Sequence, residues 1–319
     1  MFFIIPGTSC LATIVLSLRD KYTMTPTRVL YHRAEAYPRK AAFIKDNEIW
    51  TYERLATQVD RLARGLIEHG VGKGDRVALH MAHLPELVIA YHACFRVEAI
   101  AAPLNIRFKT AELKPLLQRL RPALYIGQAA LYSQVASIDS SILASNRRFI
   151  VDGCVKGTWM QPWTRLFAEN KGNPIRVVPD VDAPSVLLTT SGTTGQPKFV
   201  IHTLATLSKT VESVEQWDLD SDHISTLLCP MVHASGLFTM LACIRFGVPF
   251  VLFQPFDPEA VLDSIERHRC TWVIGLPFMV CGTAAPPARA RAKCRFSKNL
   301  PGRWERLPGS TARSVSLFV

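Results

Sequence analysis

Apolar and polar positions alternate along most of this chain in two periods. In "TYERLATQVDRLARGLIEHGV", Leu55, Val59, Leu62, Leu66 and Ile67 recur on one stripe, with Glu53, Arg54, Asp60, Arg61 and Arg64 set away from it. Spacings of three and four put those apolar residues on one helical face, and Gly70 and Gly72 then stop the helix. "DRVALHM" reads as a short strand. "PELVIAYHACFRVE" follows as a helix with Pro85 in its first turn and an apolar surface nearly all round, so it should be buried. "AIAAPLN" is the next strand, "TAELKPLLQRL" a helix that contains Pro115, and "PALYIG" another strand. Strand, helix, strand, helix, strand at this spacing predicts a largely parallel sheet covered by helices.

Residues 129–181 are broken by glycine, asparagine and proline, with "RRFIVDG" and "IRVVP" as strands. Beyond them, "SVLL" and "KFVIHT" are strands and "TLATLSKTVESVEQW" a helix. "HISTLLCPM" is a strand that runs into a turn. "LFTMLACIRFG" is an apolar helix, "PFVLF" a strand, and "FDPEAVLDSIERHR" a helix with Asp257 as N-cap and Pro258 in the first turn. "CTWVIGLP" is one more strand. No fixed-period repeat interrupts residues 24–280.

Charge changes the picture only at one end. The chain has 319 residues and a formal net charge of +11. Residues 281–319 hold eight basic residues against one acid, Glu305, which is +7, so residues 1–280 carry +4. The main body therefore has no clustered basic face for a polyanion, and no specific nucleic-acid partner is expected. Eight cysteines are scattered without a Cys-x-x-Cys pair or a histidine at zinc-ligand spacing, and several lie in apolar runs. Buried, reduced thiols of a cytoplasmic protein are the expectation.

The first 23 residues, "MFFIIPGTSCLATIVLSLRDKYT", are apolar but interrupted by Pro6, Gly7, Thr8 and Ser9, with no basic residue ahead of the apolar run. They read as a poor membrane anchor, a packed leader, or upstream sequence ahead of a start at Met24. The change to ordinary amphipathic sequence at Met24 favours the last, and no stable membrane span is expected.

One stretch has a composition that no core requires. "LLTTSGTTGQPKFVIHT" sets hydroxyl residues, two glycines, a proline and Lys198 between two apolar runs. Strand, loop, strand is the simplest local reading. Glycines let backbone amides approach a ligand, hydroxyls add donors, and Lys198 adds a mobile positive charge, as a phosphate would require. A polar hairpin turn with no ligand would have the same composition. It is not a Walker A loop, because Lys198 lies between Pro197 and Phe199 and a strand rather than a helix follows.

The order of those residues goes further. Thr190, Ser191, Gly192, Thr193, Thr194, Gly195, Pro197 and Lys198 resemble, position for position, the phosphate-binding loop of the adenylate-forming superfamily, which includes acyl-CoA synthetases and aryl-CoA ligases. Phe199 departs from that pattern, which usually has glycine there, and narrows the loop's mobility. "PMVHASGLF" resembles the family's acyl-pocket segment, with His233 beside the carboxylate or adenylate and Ser235 and Gly236 in the same pocket. "DRVALHMAHLPELVIAYHACFRVEAIAAPLNIR" and "FDPEAVLDSIERHRCTWVIGLPFM" are similar to its flanking segments, so the resemblance covers residues 24–280.

The resemblance implies an α/β fold: the N-terminal large domain of an adenylate-forming enzyme, with helix-covered, largely parallel sheets, ending before the C-terminal lid domain. It implies an ATP-dependent carboxylate:CoA ligase acting on a fatty or aryl acid through an acyl-adenylate. ATP, Mg2+ and coenzyme A are the implied small molecules. Thr190 would enter the magnesium shell, the loop would hold the ATP phosphates, and Lys198 and His233 would be the catalytic side chains. Past "GLPFM", however, the family's Tyr-Gly-x-Thr-Glu segment, ribose aspartate, hinge and distal catalytic lysine are missing. Residues 281–319 read instead as a basic, disordered or out-of-frame tail, and weak or absent full turnover is expected. The competing expectations are a non-catalytic nucleotide-binding or interaction protein, and a nucleic-acid binder acting through its basic tail.

Overall fold

The computed structural model describes residues 24–153, 160–168, 175, 179–190, 197–213, 219–253, 256–275 and 279, with three short strands at 294–296, 303–306 and 315–318. Local signals set the ends of many elements. Thr25 caps helix α1 (Pro26–Ala36) by accepting from the Arg28 amide, and Pro26 occupies the first turn, where its missing N–H is not needed. Strands β1 (Ala41–Lys45) and β2 (Glu48–Thr51) form an antiparallel pair. Thr51 then caps α2 (Tyr52–Glu68). Leu55, Val59, Leu62 and Leu66 on its predicted stripe are fully buried, whereas Ile67, placed on the same stripe, is exposed because it falls one residue past Leu66 at the edge of the buried face. Each such buried side chain contributes about 1.5–3 kcal/mol of transfer free energy, before the cost of ordering the chain.

The α/β series continues as β3 (Arg76–His80), α3 (Pro85–Arg96), β4 (Ile100–Pro103), α4 (Thr110–Leu120), β5 (Leu124–Gly127), α5 (Tyr132–Val135), β6 (Arg148–Ile150) and β7 (Gln161–Pro162). After it come the hairpin β8 (Pro184–Thr190) and β9 (Lys198–Thr203), then α6 (Leu204–Glu212), β10 (Ser225–Leu227), α7 (Ala234–Phe246), β11 (Phe250–Leu252), α8 (Pro258–His268) and β12 (Trp272–Ile274). Asp257 caps α8 at its predicted position by accepting from the Glu259 amide. Gly247 ends α7 at φ 74°, a left-handed conformation that glycine adopts without steric cost. The remaining strands are β13 (Cys294–Phe296), β14 (Arg303–Arg306) and β15 (Val315–Phe318).

These strands form two sheets, ordered β7-β6-β5-β3-β4-β8-β9 and β13-β14-β15-β12-β10-β11-β1-β2. Pairing is parallel at the centre of each sheet and antiparallel at β8–β9 and β1–β2. Parts of the basic stretch past residue 280 thus join the larger sheet, with β15 parallel to β12.

Side-chain alternation assigns each sheet face. Val77, Leu79, Leu124 and Ile126 of one sheet, and Phe43, Leu227, Phe250 and Trp272 of the other, share a single core with α1, α2, α3, α6 and α7. Their strand neighbours face outward: Ala78, Ala102 and Tyr125 pack under α4 and α5, and Ile44, Val251, Leu228 and Val273 lie in the cores beneath α8. The layers therefore run helix, sheet, helix, sheet, helix. α3 lies in the middle layer, which explains its all-round apolar surface: every residue from Leu87 to Phe95 is buried.

Sequence reading missed α1, β1 and β2 inside an ordinary amphipathic stretch. Arg176, Val177 and Val178 of the predicted "IRVVP" strand and the end of the predicted helix after Ser213 lie outside the described residues. Cys94, Cys229, Cys243 and Cys270 are free thiols and buried, and burial pushes Cys94, Cys243 and Cys270 up to about 12. No helix among the described residues is long and apolar enough to cross a membrane.

Candidate functional site

Topology fixes where a site can form. In the seven-stranded sheet β3 lies between β4 and β5, so the chain steps from β3 to β4 and then crosses back over β3 to reach β5. The helix after β3 packs in the middle layer and the helix after β4 on the outer face. Connections leaving adjacent strands toward opposite faces open a crevice at the strands' carboxyl ends. β8 runs parallel beside β4, paired through Ala101 and Val186, so its C-terminal residue Thr190 reaches the same edge of the sheet.

The hydroxyl-rich loop closes the hairpin at that edge. Thr190 and Lys198 are register partners, and both are exposed. The Thr190 hydroxyl donates to the Lys198 carbonyl across 3.5 Å. Ser191, Gly192, Thr193, Thr194 and Gly195 lie outside the described residues. The base of the hairpin is braced from α4: Arg119 donates to the Pro197 carbonyl at 3.2 Å, and its guanidinium lies 5.7 Å from the Phe199 ring centroid. Phe199 and Leu187 pack against the outer core, so the aromatic at the unusual position serves as an anchor. A strand follows Lys198, as predicted, and α6 starts only at Leu204. Positive charge at the loop's end therefore comes from the Lys198 side chain and not from a helix dipole.

His233 comes from the other sheet. β10 ends at Leu227, and the chain turns at Pro230, where the His233 amide donates to the Pro230 carbonyl at 2.9 Å. His233 is the N-cap of α7 but makes no side-chain capping bond. It is half-buried, and desolvation followed by the nearby Arg107 charge lowers its affinity for a proton. A neutral imidazole at physiological pH can donate and accept hydrogen bonds at once. Arg107, in the β4–α4 connection, had no sequence signal of its own.

Ser235 is half-buried in the first turn of α7, with its carbonyl accepting from the Thr239 hydroxyl at 2.7 Å. Gly236 is buried for a packing reason. A Cβ there would lie 2.3 Å from the Pro230 carbonyl oxygen and 2.4 Å from that of Cys229, so only glycine lets α7 approach the turn. Away from the loop the hairpin touches α7: the His202 ring of β9, whose register partner is Val186, meets Phe238 of α7 edge-on at 5.6 Å. Among the described residues no hydrogen bond links Thr190 or Lys198 directly to His233.

Comparison with known proteins matches this arrangement to a family. Residues 30–310 match the AMP-binding enzyme family. The chain belongs to that family. Its match runs past residue 280, into the stretch where the composition turns basic. The chain is 30% identical over 245 residues to the 2-succinylbenzoate–CoA ligase of Bacillus pumilus, covering 76% of this chain and 47% of that protein. It is 32% identical over 257 residues to the feruloyl-CoA synthase of an Amycolatopsis species, covering 80% of this chain and 49% of that one. The apo structure of MbtA from Mycobacterium smegmatis shares the fold, with a TM-score of 0.76, 22% identity, and coverage of 87% of this chain and 53% of that chain. The chain thus spans about half the length of these curated relatives. Both belong to the acyl- and aryl-CoA ligase type expected from the sequence.

Proposed function

We propose that this AMP-binding family member holds the phosphate and acyl side of an adenylate-forming carboxylate:CoA ligase site. ATP binds at the β8–β9 hairpin and a fatty or aryl carboxylate in the crevice beside His233. The observation that carries this reading is the closure of the hydroxyl-rich loop by Thr190 and Lys198 at the carboxyl edge of the parallel sheet, tied to the helix that starts at His233.

Bringing two anions together requires local positive charge and oriented donors. Lys198 contacts the β- and γ-phosphates, and the resemblance of Ser191, Gly192, Thr193, Thr194 and Gly195 to a phosphate-binding loop supports assigning them to the same phosphates. Among the described residues no three His, Cys, Asp or Glu side chains cluster to hold a metal. Magnesium would come with the nucleotide, and the exposed Thr190 hydroxyl would offer it one oxygen. Held there, magnesium would supply charge neutralisation at the phosphates. Neutral His233 orients the carboxylate, and Ser235 and Gly236 border its pocket. A thiol, coenzyme A, then displaces AMP from the acyl-adenylate.

Full turnover by this polypeptide alone is weak or absent in our reading. Support comes from residues 280–319, where the family's Tyr-Gly-x-Thr-Glu segment, expected directly after "GLPFM", does not occur. The buried thiols support a cytoplasmic location. Carboxylate-dependent exchange of pyrophosphate into ATP tests the turnover claim: exchange at the rate of an intact ligase overturns it, and ATP binding without exchange supports it.

A further inference from the structure

The turn that carries His233 is held by two buried side chains from a distant part of the chain. Met231 is the second residue of that turn. Its amide donates to Nε2 of His83 at 2.8 Å, and its carbonyl accepts from the Tyr91 hydroxyl at 2.7 Å. Both backbone polar groups of one residue are thus taken up by side chains 148 and 140 positions away. His83 follows β3 and Tyr91 sits on α3. Both are buried, His83 to 4% exposure and Tyr91 completely. Burial keeps the His83 ring neutral, at about 4, and the Leu227 backbone carbonyl beside it favours a proton on the ring. Accepting at Nε2 requires that proton to sit on Nδ1. On its other side the turn is closed by the His233 amide on the Pro230 carbonyl and by the contact of Gly236 with Cys229 and Pro230.

We propose that His83 and Tyr91 act as positioning residues: clamping the Met231 backbone, they set where His233 and the first turn of α7 stand in the crevice. A turn with free backbone groups would rotate. Here rotation would strand a buried amide, a buried carbonyl, an imidazole nitrogen and a phenol, each costing about 1–3 kcal/mol unless repaired. The clamp also joins the carboxyl ends of the two sheets, since His83 belongs to the β3 end and Met231 to the β10 end. Its role in acyl-adenylate binding rests on the proposed function; its role in placing His233 does not.

The test uses the full chain as wild type, His83→Ala, His83→Gln and Tyr91→Phe. Histidine labelled at Cε1 reports the His233 ring by NMR, assigned by its loss in His233→Gln. Calorimetry measures binding of adenosine 5′-(N-benzoyl)sulfamate, a mimic of an aryl-adenylate whose acidic linker N–H is ionised at neutral pH and so keeps the linker's negative charge, and of magnesium ATP. The expected result is a shifted or broadened His233 signal in His83→Ala and Tyr91→Phe, with analogue affinity down about tenfold, as one lost buried hydrogen bond implies. ATP affinity should change less than about twofold, because no partner of the hairpin is touched. His83→Gln, whose amide oxygen reaches the place of Nε2, should restore the signal and the affinity. An unchanged His233 signal in both His83→Ala and Tyr91→Phe overturns the clamp, as does a failure of His83→Gln to rescue. If His83→Ala does not fold, the milder Tyr91→Phe decides. Wild-type protein that binds no analogue counts against the acyl-adenylate reading, and the NMR result still decides the clamp.

Discussion

Lowering the pH from 7.5 to 5 should destabilise this fold through three histidines buried without charge. His80, His83 and His92 are each 4% exposed or less. Desolvation holds His80 and His83 at about 4 and His92 at about 3, whereas an unfolded imidazole titrates near 6.5. Between those values the unfolded chain binds protons that the folded chain refuses. Stability is therefore complete above about pH 6.5 and falls as the pH drops toward 4. At pH 5 each unfolded imidazole gains about 2 kcal/mol from protonation, so the three together remove about 6 kcal/mol. That is comparable to the whole stability of an ordinary domain. Glu86 works the other way and offsets part of the loss, because burial raises its carboxyl and protonation in acid favours the folded state.

His92 isolates the effect. Neither of its ring nitrogens has a hydrogen-bond partner among the described residues, it meets Phe95 edge-on at 5.8 Å, and a cavity of about 10 Å³ lies beside it. Replacing an unsatisfied buried polar group with an apolar one of similar size is close to neutral or stabilising. His92→Leu should therefore keep or raise stability at pH 7.5 and shrink the pH 7.5-to-5 difference by about 2 kcal/mol. Urea unfolding followed by tryptophan fluorescence at both pH values measures it. A His92→Leu variant with the same pH difference as wild type would refute the reasoning.

Other outcomes follow from the same contacts. Gly236→Ala should destabilise the fold by about 1–3 kcal/mol or prevent folding, read as a lower urea midpoint, because the new Cβ meets the backbone of Cys229 and Pro230. Arg119→Ala removes the brace on Pro197 and Phe199, and amide exchange at the hairpin base should speed up about fivefold, the equivalent of one ordinary hydrogen bond. His233→Ala should weaken adenylate-analogue binding about tenfold while leaving ATP affinity unchanged, because the proposed function pairs its neutral ring with the carboxylate and not with the phosphates.

Much of the fold was readable where one local period persisted. The stripe on α2, the all-round apolar α3 and the Asp257 cap each follow from a dozen residues of sequence. The β1–β2 pair was not readable, because Ala41–Lys45 finds its parallel partner at Phe250–Leu252, more than two hundred residues away. The candidate site divides in the same manner. Thr190 and Lys198 were legible because glycine and hydroxyl spacing in one loop encodes a ligand, and His233 through the resemblance of its segment. His83, Tyr91, Arg107 and Arg119 were not, because each acts on a backbone or ring far off in sequence and stands in a local context that any core or surface shares. Gly236 was legible as a site neighbour, but the reason for glycine there, the backbone of Pro230, appears only once the turn is folded.

The most direct test of the central claim is equilibrium dialysis of labelled ATP with magnesium against the wild-type chain and Lys198→Ala. Among the described residues the exposed Lys198 side chain makes no hydrogen bond or ion pair, and its backbone pairing with Thr190 survives truncation, so the variant should keep its unfolding midpoint. The account predicts saturable ATP binding by wild type and a loss of at least about tenfold in Lys198→Ala, the value of one charge-assisted phosphate contact. Wild-type protein that is folded but binds no ATP, or equal binding by the two proteins, would contradict it.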